Sequence, residues 1–443
     1  MTNEQAEKEP DTVPVKAGRD GKAHLGGAEL CIWSESMLVA LVKGVKGGKW
    51  YSLSDKAFSV RTLEAAFRKV KSNEGAAGVD RVTIARFEER LETELPRLSE
   101  SLMDGTYRPQ AIKRVMIPKP GSHEKRPLGI PTVRDRVVQT ALRAALEPIF
   151  EHEFVDGSYG FRPGRSCHQA LGRVWRALKS GKVHVVDADL RKFFDTIPHE
   201  LIMRGLQERV SDGKLLSLVN AFLKQGVMEF GADEVWESEM SEGTPQGSVI
   251  SPLLANIALH GMDLMAEEQG YELVRYADDF MILCSTQEEA GSALEDVKDW
   301  VQTAGLSLHP DKTRIVDYGS GERFEFLGYE FKDGKCDPRK KSVDNLRNKI
   351  RDLTPQCGGK MSEIIAQLNS VLQGWYRYFR YGYGWKFERM DGFIRRRLRS
   401  ILARRKRMGR FNLVRHHTAW PNAYFKRLGL FSMERAHAER LIL

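Results

Sequence analysis

Two aspartates, Asp278 and Asp279, sit in the middle of LVRYADDFMILC, Leu273 to Cys284, a run that is otherwise nearly apolar. Carboxylates in such surroundings are costly to desolvate, and two side by side push each other toward the protonated form. A divalent cation compensates better than a shared proton. Hard carboxylate oxygens suit Mg²⁺, which takes one or two protein carboxylates together with substrate phosphates. Two such ions, roughly 3.5–4 Å apart, can activate an attacking hydroxyl and stabilise a leaving pyrophosphate. That chemistry also needs a carboxylate on a neighbouring strand. VHVVDADLRKFFD offers Asp187 and Asp189, which share a face at the strand period of two, with Asp189 nearer the strand end where ligands usually sit. An isolated Asp-Asp pair is common on surfaces. An Asp-Asp hairpin after an Asp-ended strand, with the loop GTPQG (Gly243–Gly247) between them, is far more specific.

The elements that must position these residues are legible in outline. VHVVDAD reads as a strand running into a helix start, with Pro198 suited to the first helical turn. LVRYA and FMILC read as two strands with the aspartates at their junction, and RFEFLGYEF as a last strand. AIKRVMIPKPGSHEKRPLGIP reads as two strands about a Pro/Gly loop flanked by Arg114, Lys119, Lys125 and Arg126. Amphipathic periodicity predicts helices over SVRTLEAAFRKVK, TIARFEERLETELPRLSESL and VRDRVVQTALRAALEPIF, and a long helix after GTPQG. Beyond residue 340 the pattern is helical. Leu346 and Ile350, Ile364 and Leu368, and Ile394, Leu398 and Ile401 mark three inward faces, with the arginines turned outward.

Composition sets the frame. Net charge is +9 over 443 residues, but from Lys341 onward 23 Lys/Arg face only 7 Asp/Glu. A basic segment of that kind attracts polyanions, most often nucleic acid, although a solvated helix face has the same composition. No apolar run approaches the roughly 20 residues of a membrane span, and the polar N-terminus is no secretory signal. Five scattered cysteines without a CxxC pair fit a reducing cytosol rather than a disulfide framework or zinc ribbon. Residues 1–56, rich in Gly, Lys and polar residues, read as a flexible extension with one short helix.

At this point the residues resemble a known family. YADD (Tyr276–Asp279) is similar to the signature of reverse transcriptases, Asp189 with Phe194 to their first catalytic motif, and TPQG (Thr244–Gly247) to the motif beneath the templating pair. NEGAAGVD, RPLGIPTVRDRVVQ, YGFRPGRSCHQAL, GTPQGSVISPLLANI and FLGYEF resemble, in order, the blocks of group II intron-encoded reverse transcriptases and maturases. The resemblance runs from about Trp50 through GWYRYF (Gly374–Phe379) to WPNAYFKRLGLFSM. It implies an α+β right-hand polymerase: fingers and a ferredoxin-like palm over 57–340, an α-helical thumb/maturase (X) domain over 341–417, and a short C-terminal segment over 418–443. Many relatives continue into a Cys- and His-bearing HNH endonuclease, whereas this chain stops soon after LGLFSM, so no endonuclease domain is expected.

The resemblance also implies roles. Asp189, Asp278 and Asp279 would hold two Mg²⁺ ions, Asp189 and Asp278 more closely than Asp279, with the Leu190 carbonyl a further ligand. Lys119 and Arg126 would grip the incoming triphosphate, Phe194 would select dNTPs by blocking a 2′-hydroxyl, and Gln246 would line the nucleotide pocket. Primer and template would meet Tyr276, Gly247, the Phe326, Leu327 and Gly328 grip, and the Gly75 and Gly78 loop; Arg162 and Arg165 would contact RNA. Arg395, Arg396, Arg397, Arg399, Arg404 and Arg405 would form an RNA-binding thumb face beside Trp375, Tyr376 and Tyr378, aromatics that pack the thumb core. The expected partners are group II intron RNA, an RNA template, a DNA primer, dNTPs and target DNA, with no membrane, in a bacterial cytoplasm. The expected activity is RNA-directed DNA synthesis joined to assisted splicing and retrohoming. A host repair or defence reverse transcriptase and a binding-only maturase remain open, and Phe194 and YADD disfavour an RNA-dependent RNA polymerase.

Overall fold

A computed structural model describes residues 27–45, 47–118, 125–230, 235–238, 240–355, 359–408 and 413–442. The chain forms two compact units that divide between Asp317 and Tyr318. Through Asp317 the strands are β1 (Ile112–Pro118), β2 (Lys125–Ile130), β3 (His184–Asp189), β4 (Val227–Phe230), β5 (Val235–Ser238), β6 (Glu272–Tyr276), β7 (Asp279–Cys284) and β8 (Arg314–Asp317). They make two sheets, β2-β1-β4-β5 and β6-β7-β3-β8. The second is antiparallel throughout, which is the expected α+β class. Its central strands are apolar because both faces are covered. Val185, Val186, Phe280, Met281, Ile282 and Leu283 are all fully buried, with helices Cys167–Lys179 and Gln287–Thr303 packed against them.

Helices Val133–Glu153 and Ser251–Glu268 run through this core, and each buries polar residues that sequence periodicity alone could not place. In the first, Asp135 accepts hydrogen bonds from Tyr107 Oη (2.6 Å) and Thr132 Oγ1 (2.7 Å). Burial nevertheless raises its carboxyl above the ordinary range.

Three expectations need correction. Residues 1–26 lie outside the described residues, but from Ala28 the supposed extension is part of the core. Trp33 is buried and donates from Nε1 to the Ala144 carbonyl at 3.0 Å, and Trp50 exchanges backbone bonds with Arg209 and Ser211. The helix expected over 83–102 breaks into Ile84–Glu88 and Leu91–Met103, because the Arg90 N–H closes a tighter bond to the Phe87 carbonyl three residues back. The run RFEFLGYEF is a hairpin rather than one strand.

That hairpin opens the second unit. Its strands are β9 (Phe324–Phe326), β10 (Tyr329–Lys332) and β11 (Lys335–Pro338), in the order β11-β10-β9. Phe326 pairs with Tyr329 across a two-residue turn. Leu327 (φ 47°) and Gly328 (φ 80°) both take the left-handed conformation that such turns require. Helices Lys340–Leu353, Met361–Phe379 and Gly384–Arg405 follow, and their apolar faces form one core with Trp420 and Phe425. Cys31, Cys167, Cys284 and Cys336 are free thiols. No helix among the described residues is long and apolar enough to cross a membrane.

Candidate active site

The acidic residues converge through strand register. β3 lies between β7 and β8, and Asp189 stands directly opposite Asp279. Directly opposed residues share a face with Cβ atoms roughly 5 Å apart. Tyr276 pairs with Asp279, so Ala277 and Asp278 form a two-residue turn in which Ala277 has φ 61°. Asp278 therefore projects from a constrained turn beside the end of β3. Its carboxyl is raised above the ordinary range by burial, with the Asp189 charge adding to the shift, while Lys312 and Arg275 oppose it. Asp189 Oδ2 pairs with the Lys312 ammonium, and the Asp189 carbonyl accepts from the His309 N–H at 2.8 Å. Asp187, two residues earlier, faces Arg314 on β8, with Oδ2 3.6 Å from Nε.

Among the described residues no group of three or more His, Cys, Asp or Glu side chains is gathered so as to hold a metal ion. The donor chemistry still fits Mg²⁺. The Asp189 charge opposes ionisation of Asp278, the carboxylate atoms of both are hard oxygens, and Mg²⁺ draws its remaining ligands from phosphates and water.

The GTPQG loop is clamped beside this hairpin. Thr244 N–H bonds to the Phe194 carbonyl (2.7 Å), and Gly129 N–H of β2 bonds to the Gln246 carbonyl (2.6 Å). A Cβ at Gly247, where φ is 108°, would lie 2.3 Å from the Gly129 carbonyl oxygen. The segment after β3, the GTPQG loop and the RPLGIP strand are therefore contiguous. Phe194 is half-buried, with its ring edge-on to Phe193 (5.5 Å) and Phe161 (6.2 Å). Arg126 is exposed on β2, and Lys119 lies outside the described residues. Tyr276 is half-buried. Burial and a hydrogen bond with Cys167 push its phenol up to about 12.

Several cations and glycines have structural partners instead of open faces. Arg162, with its side chain 3% exposed, forks onto Glu151 (Nη2–Oε1 2.8 Å) and donates to the Val155 and Ser158 carbonyls. The expected RNA contact is corrected: these bonds leave it no face toward solvent. Arg165 is tied to Asp156 (Nη2–Oδ1 2.9 Å) and lies over the Tyr159 ring, and that bond draws the Asp156 carboxyl below its ordinary range. In the loop after Asn73, Arg136 donates to the Glu74 and Ala76 carbonyls. A Cβ at Gly78 would lie 2.7 Å from Thr132 Cα, and one at Gly75 2.8 Å from Arg136 Nη1, so both glycines answer to packing.

The second unit divides its arginines. Arg399 is buried, bonded to the Trp420 carbonyl (2.9 Å) and Asn422 Oδ1 (2.7 Å), and Arg397 bonds to Thr354 Oγ1 (3.0 Å). These two are corrected from open RNA-facing cations to side chains held by protein acceptors, Arg399 buried and Arg397 half-buried. Arg405 donates to the Gly359 carbonyl (2.7 Å) from an exposed position, and Arg395 is 4.0 Å from Asp391. Arg396 and Arg404 are exposed. Arg347, Arg351, Arg389, Arg395, Arg396 and His417 line a groove of about 760 Å³, and Arg399 with its partner Asn422 reaches its wall. Trp375, Tyr376 and Tyr378 pack against Phe379 and Phe387. Sequence reasoning passes over Lys312, Phe161 and Arg275. Charge marks the first and the last, but their partners are distant in sequence.

An antiparallel sheet presenting an Asp-ended strand beside an Asp-Asp hairpin, with a Gly-rich loop clamped alongside, defines a polymerase of the nucleotidyl-transfer class. The family "Reverse transcriptase (RNA-dependent DNA polymerase)" matches residues 117–331, and "Group II intron, maturase-specific domain" matches residues 343–420. The chain is 35% identical over 308 residues to Protein YkfC of Escherichia coli, covering 60% of this chain and 79% of that one. It is 40% identical over 201 residues to the group II intron-encoded protein LtrA of Lactococcus lactis, covering 45% of this chain and 32% of LtrA, about a third of that relative's length. The chain belongs to the group II intron reverse transcriptase and maturase family, whose activity is RNA-directed DNA synthesis. Membership implies dependence on a divalent metal and binding of RNA. Similar solved structures include a Candida albicans telomerase in complex with a TWJ fragment of telomeric RNA (TM-score 0.43, 11% identity, 78% of this chain and 68% of that one). A Cas6-RT-Cas1–Cas2 complex is also similar (TM-score 0.36, 25% identity, 57% and 42%). Neither likeness adds to the assignment.

Proposed function

We propose that this chain copies group II intron RNA into cDNA by two-metal nucleotidyl transfer, and binds the same RNA to assist its splicing and retrohoming. The observation that carries the reading is the register of Asp189 against Asp279 with Asp278 in the adjoining turn, inside the stretch that matches the reverse transcriptase family. Asp189, Asp278 and Asp279 would hold two Mg²⁺ ions, with the Leu190 carbonyl as a further oxygen ligand. When bound, the ions lower the pKa of the attacking hydroxyl and offset charge on the leaving pyrophosphate.

The rest is binding and orientation by the chain itself. Arg126, exposed on β2, would pair with the triphosphate together with Lys119, and cations there stabilise the charge that develops on the leaving group. Phe194, its backbone fixed by the bond from Thr244, would fill the space a 2′-hydroxyl needs. Gln246 and Gly247 would line the nucleotide pocket, and Tyr276 would brace the primer end. Phe326, Leu327 and Gly328 would grip the primer, and the loop holding Gly75 and Gly78 would follow the template backbone. The exposed arginines of the second unit, Arg396 and Arg404 foremost, would meet intron phosphates. The setting is the bacterial cytoplasm, with target DNA at the nucleoid.

Primer extension on an RNA template with dNTPs and Mg²⁺, wild type beside Asp278→Ala, tests this. cDNA from the wild type alone is expected. Absence of product from both, with RNA binding intact, would overturn the polymerase reading in favour of a binding-only maturase.

A further inference from the structure

Arg275 is the penultimate residue of β6 and is 0% exposed. A guanidinium has five N–H donors, and here every one has a partner. Nε bonds to Asp263 Oδ1 at 2.6 Å, and Nη2 pairs with Asp263 Oδ2. Nη2 also bonds to Ser158 Oγ (2.8 Å). Nη1 bonds to Asn256 Oδ1 (2.9 Å) and to the Ala277 carbonyl (3.0 Å). Asn256 in turn donates from Nδ2 to the Gly160 carbonyl (2.8 Å). Asn256 and Asp263 belong to one helix, Ser251–Glu268, while Ser158 and Gly160 belong to the loop that pairs with the outer edge of β6. One side chain thus ties a core helix, a loop and the hairpin turn together.

The contact with Ala277 gives this arrangement its meaning. Ala277 holds a left-handed backbone without being glycine, and a Cβ at Gly160 would lie 2.2 Å from its nitrogen. The turn is therefore pressed from one side by the 157–160 loop and held by its carbonyl from the other. The Ala277 carbonyl belongs to the peptide plane that leads into Asp278, so its orientation sets where the Asp278 carboxylate points. A buried ion pair is on average no more stabilising than well-packed apolar side chains of the same volume. Stability alone is a poor reason for an arginine here, whereas fixing the plane before a metal ligand requires a donor at this position.

We propose that Arg275 is a positioning residue for nucleotidyl transfer: anchored on Asp263, Asn256 and Ser158, it fixes the Ala277–Asp278 turn and so the placement of the Asp278 carboxylate relative to Asp189. This rests on the reading that Asp189 and Asp278 hold the metal ions. Lysine in its place keeps the charge for Asp263, but one ammonium cannot span Asn256, Ser158 and the Ala277 carbonyl together.

The test uses the full chain with Arg275→Lys, and Ile257→Ala as a control that destabilises the same buried helix on the face turned to Gly205. Mn²⁺ binding is read by electron paramagnetic resonance without nucleotide, and primer extension is read as kcat and dNTP KM across a Mg²⁺ titration. Arg275→Lys is expected to weaken Mn²⁺ binding and lower kcat about 10–100-fold, the range for residues that orient metal ligands, with dNTP KM moved less than about threefold. Added Mg²⁺ recovers part of the loss. Ile257→Ala is expected to lower Tm and leave both readouts within about twofold of wild type. If Arg275→Lys does not fold, Asn256→Ala removes one Nη1 acceptor, spares the Asp263 pair and is expected to shift both readouts the same way by less. An Arg275→Lys or Asn256→Ala protein that loses Tm but keeps wild-type Mn²⁺ affinity and kcat overturns the inference. Asp278→Asn separates the two levels: if it too keeps Mn²⁺ binding and activity, the metal reading itself has failed.

Discussion

Arg162 and Arg126 show how little a charge in a sequence says about which way it faces. Both flank blocks that resemble nucleic-acid-binding motifs, yet Arg126 is exposed on β2 while Arg162 is buried against Glu151 and the Val155 and Ser158 carbonyls. The partners that decide this lie 11 residues upstream for Arg162, and for Arg399 21 residues downstream at the Trp420 carbonyl. No local periodicity encodes such pairings. Asp189 and the Asp278–Asp279 pair were legible for the opposite reason: carboxylates in apolar strands have few explanations, and strand alternation says which face they share. Removing one member of a buried ion pair leaves the other uncompensated, which costs about 3–5 kcal/mol. Arg162→Ala is therefore expected to lower the urea midpoint by about 3 kcal/mol equivalent, toward the lower end because Glu151 is partly exposed. RNA affinity per folded molecule should stay at the wild-type value. A filter-binding titration that instead shows a large loss of RNA affinity, with the midpoint unmoved, would restore Arg162 to the RNA surface.

At the scale of elements, length and apolarity decided what could be read. β3, β6 and β7 each hold buried apolar residues at their centre and are bounded by clear turn signals. β4, β5 and β8 are four-residue strands that carry charged residues; β4 and β8 pair with strands distant in sequence, and β5 pairs with β4. The β9–β10 hairpin was missed because leucine is an unusual residue at a left-handed turn position. The GTPQG loop shows the reverse case, in which glycine is required on two counts. Gly247 combines φ 108° with a Cβ position 2.3 Å from the Gly129 carbonyl oxygen. A side chain there must part the loop from β2 and break the 2.6 Å bond between Gly129 N–H and the Gln246 carbonyl. Backbone strain of this kind costs about 1–3 kcal/mol. Expressed in the nucleotide pocket that this loop would line, it corresponds to roughly a 5–150-fold rise in dNTP KM. Gly247→Ala should show that rise in steady-state extension together with a fall in folding stability of about 1–3 kcal/mol. A dNTP KM equal to wild type would mean that the loop does not touch the nucleotide.

Charge is the property that belongs to the molecule as a whole, and it is uneven. From Lys341 onward Lys/Arg outnumber Asp/Glu by 23 to 7, while the rest of the chain carries a net negative charge. The composition made this plain, but not how many of the cations are available to a polyanion. Arg397 and Arg399 bond to Thr354, the Trp420 carbonyl and Asn422, whereas Arg396 and Arg404 are exposed. Each phosphate neutralised by a free cation releases counterions and steepens the fall of affinity with salt, by about 0.7–0.9 in the slope of log K against log salt. Arginines already bonded to protein acceptors contribute less, since those bonds compete with phosphate. Arg396→Gln with Arg404→Gln should therefore flatten the salt dependence of RNA binding by about 1.4–1.8 and leave the unfolding midpoint unchanged. Arg399→Gln should do the converse, lowering the midpoint while keeping the wild-type slope. Both are read from RNA-binding isotherms between 50 and about 300 mM KCl, a range in which the Debye length falls from roughly 14 to 6 Å and exposed charges are progressively screened. Equal slopes for all three proteins would place the RNA on a different surface, and the basic excess of the second unit would then be a solvated face.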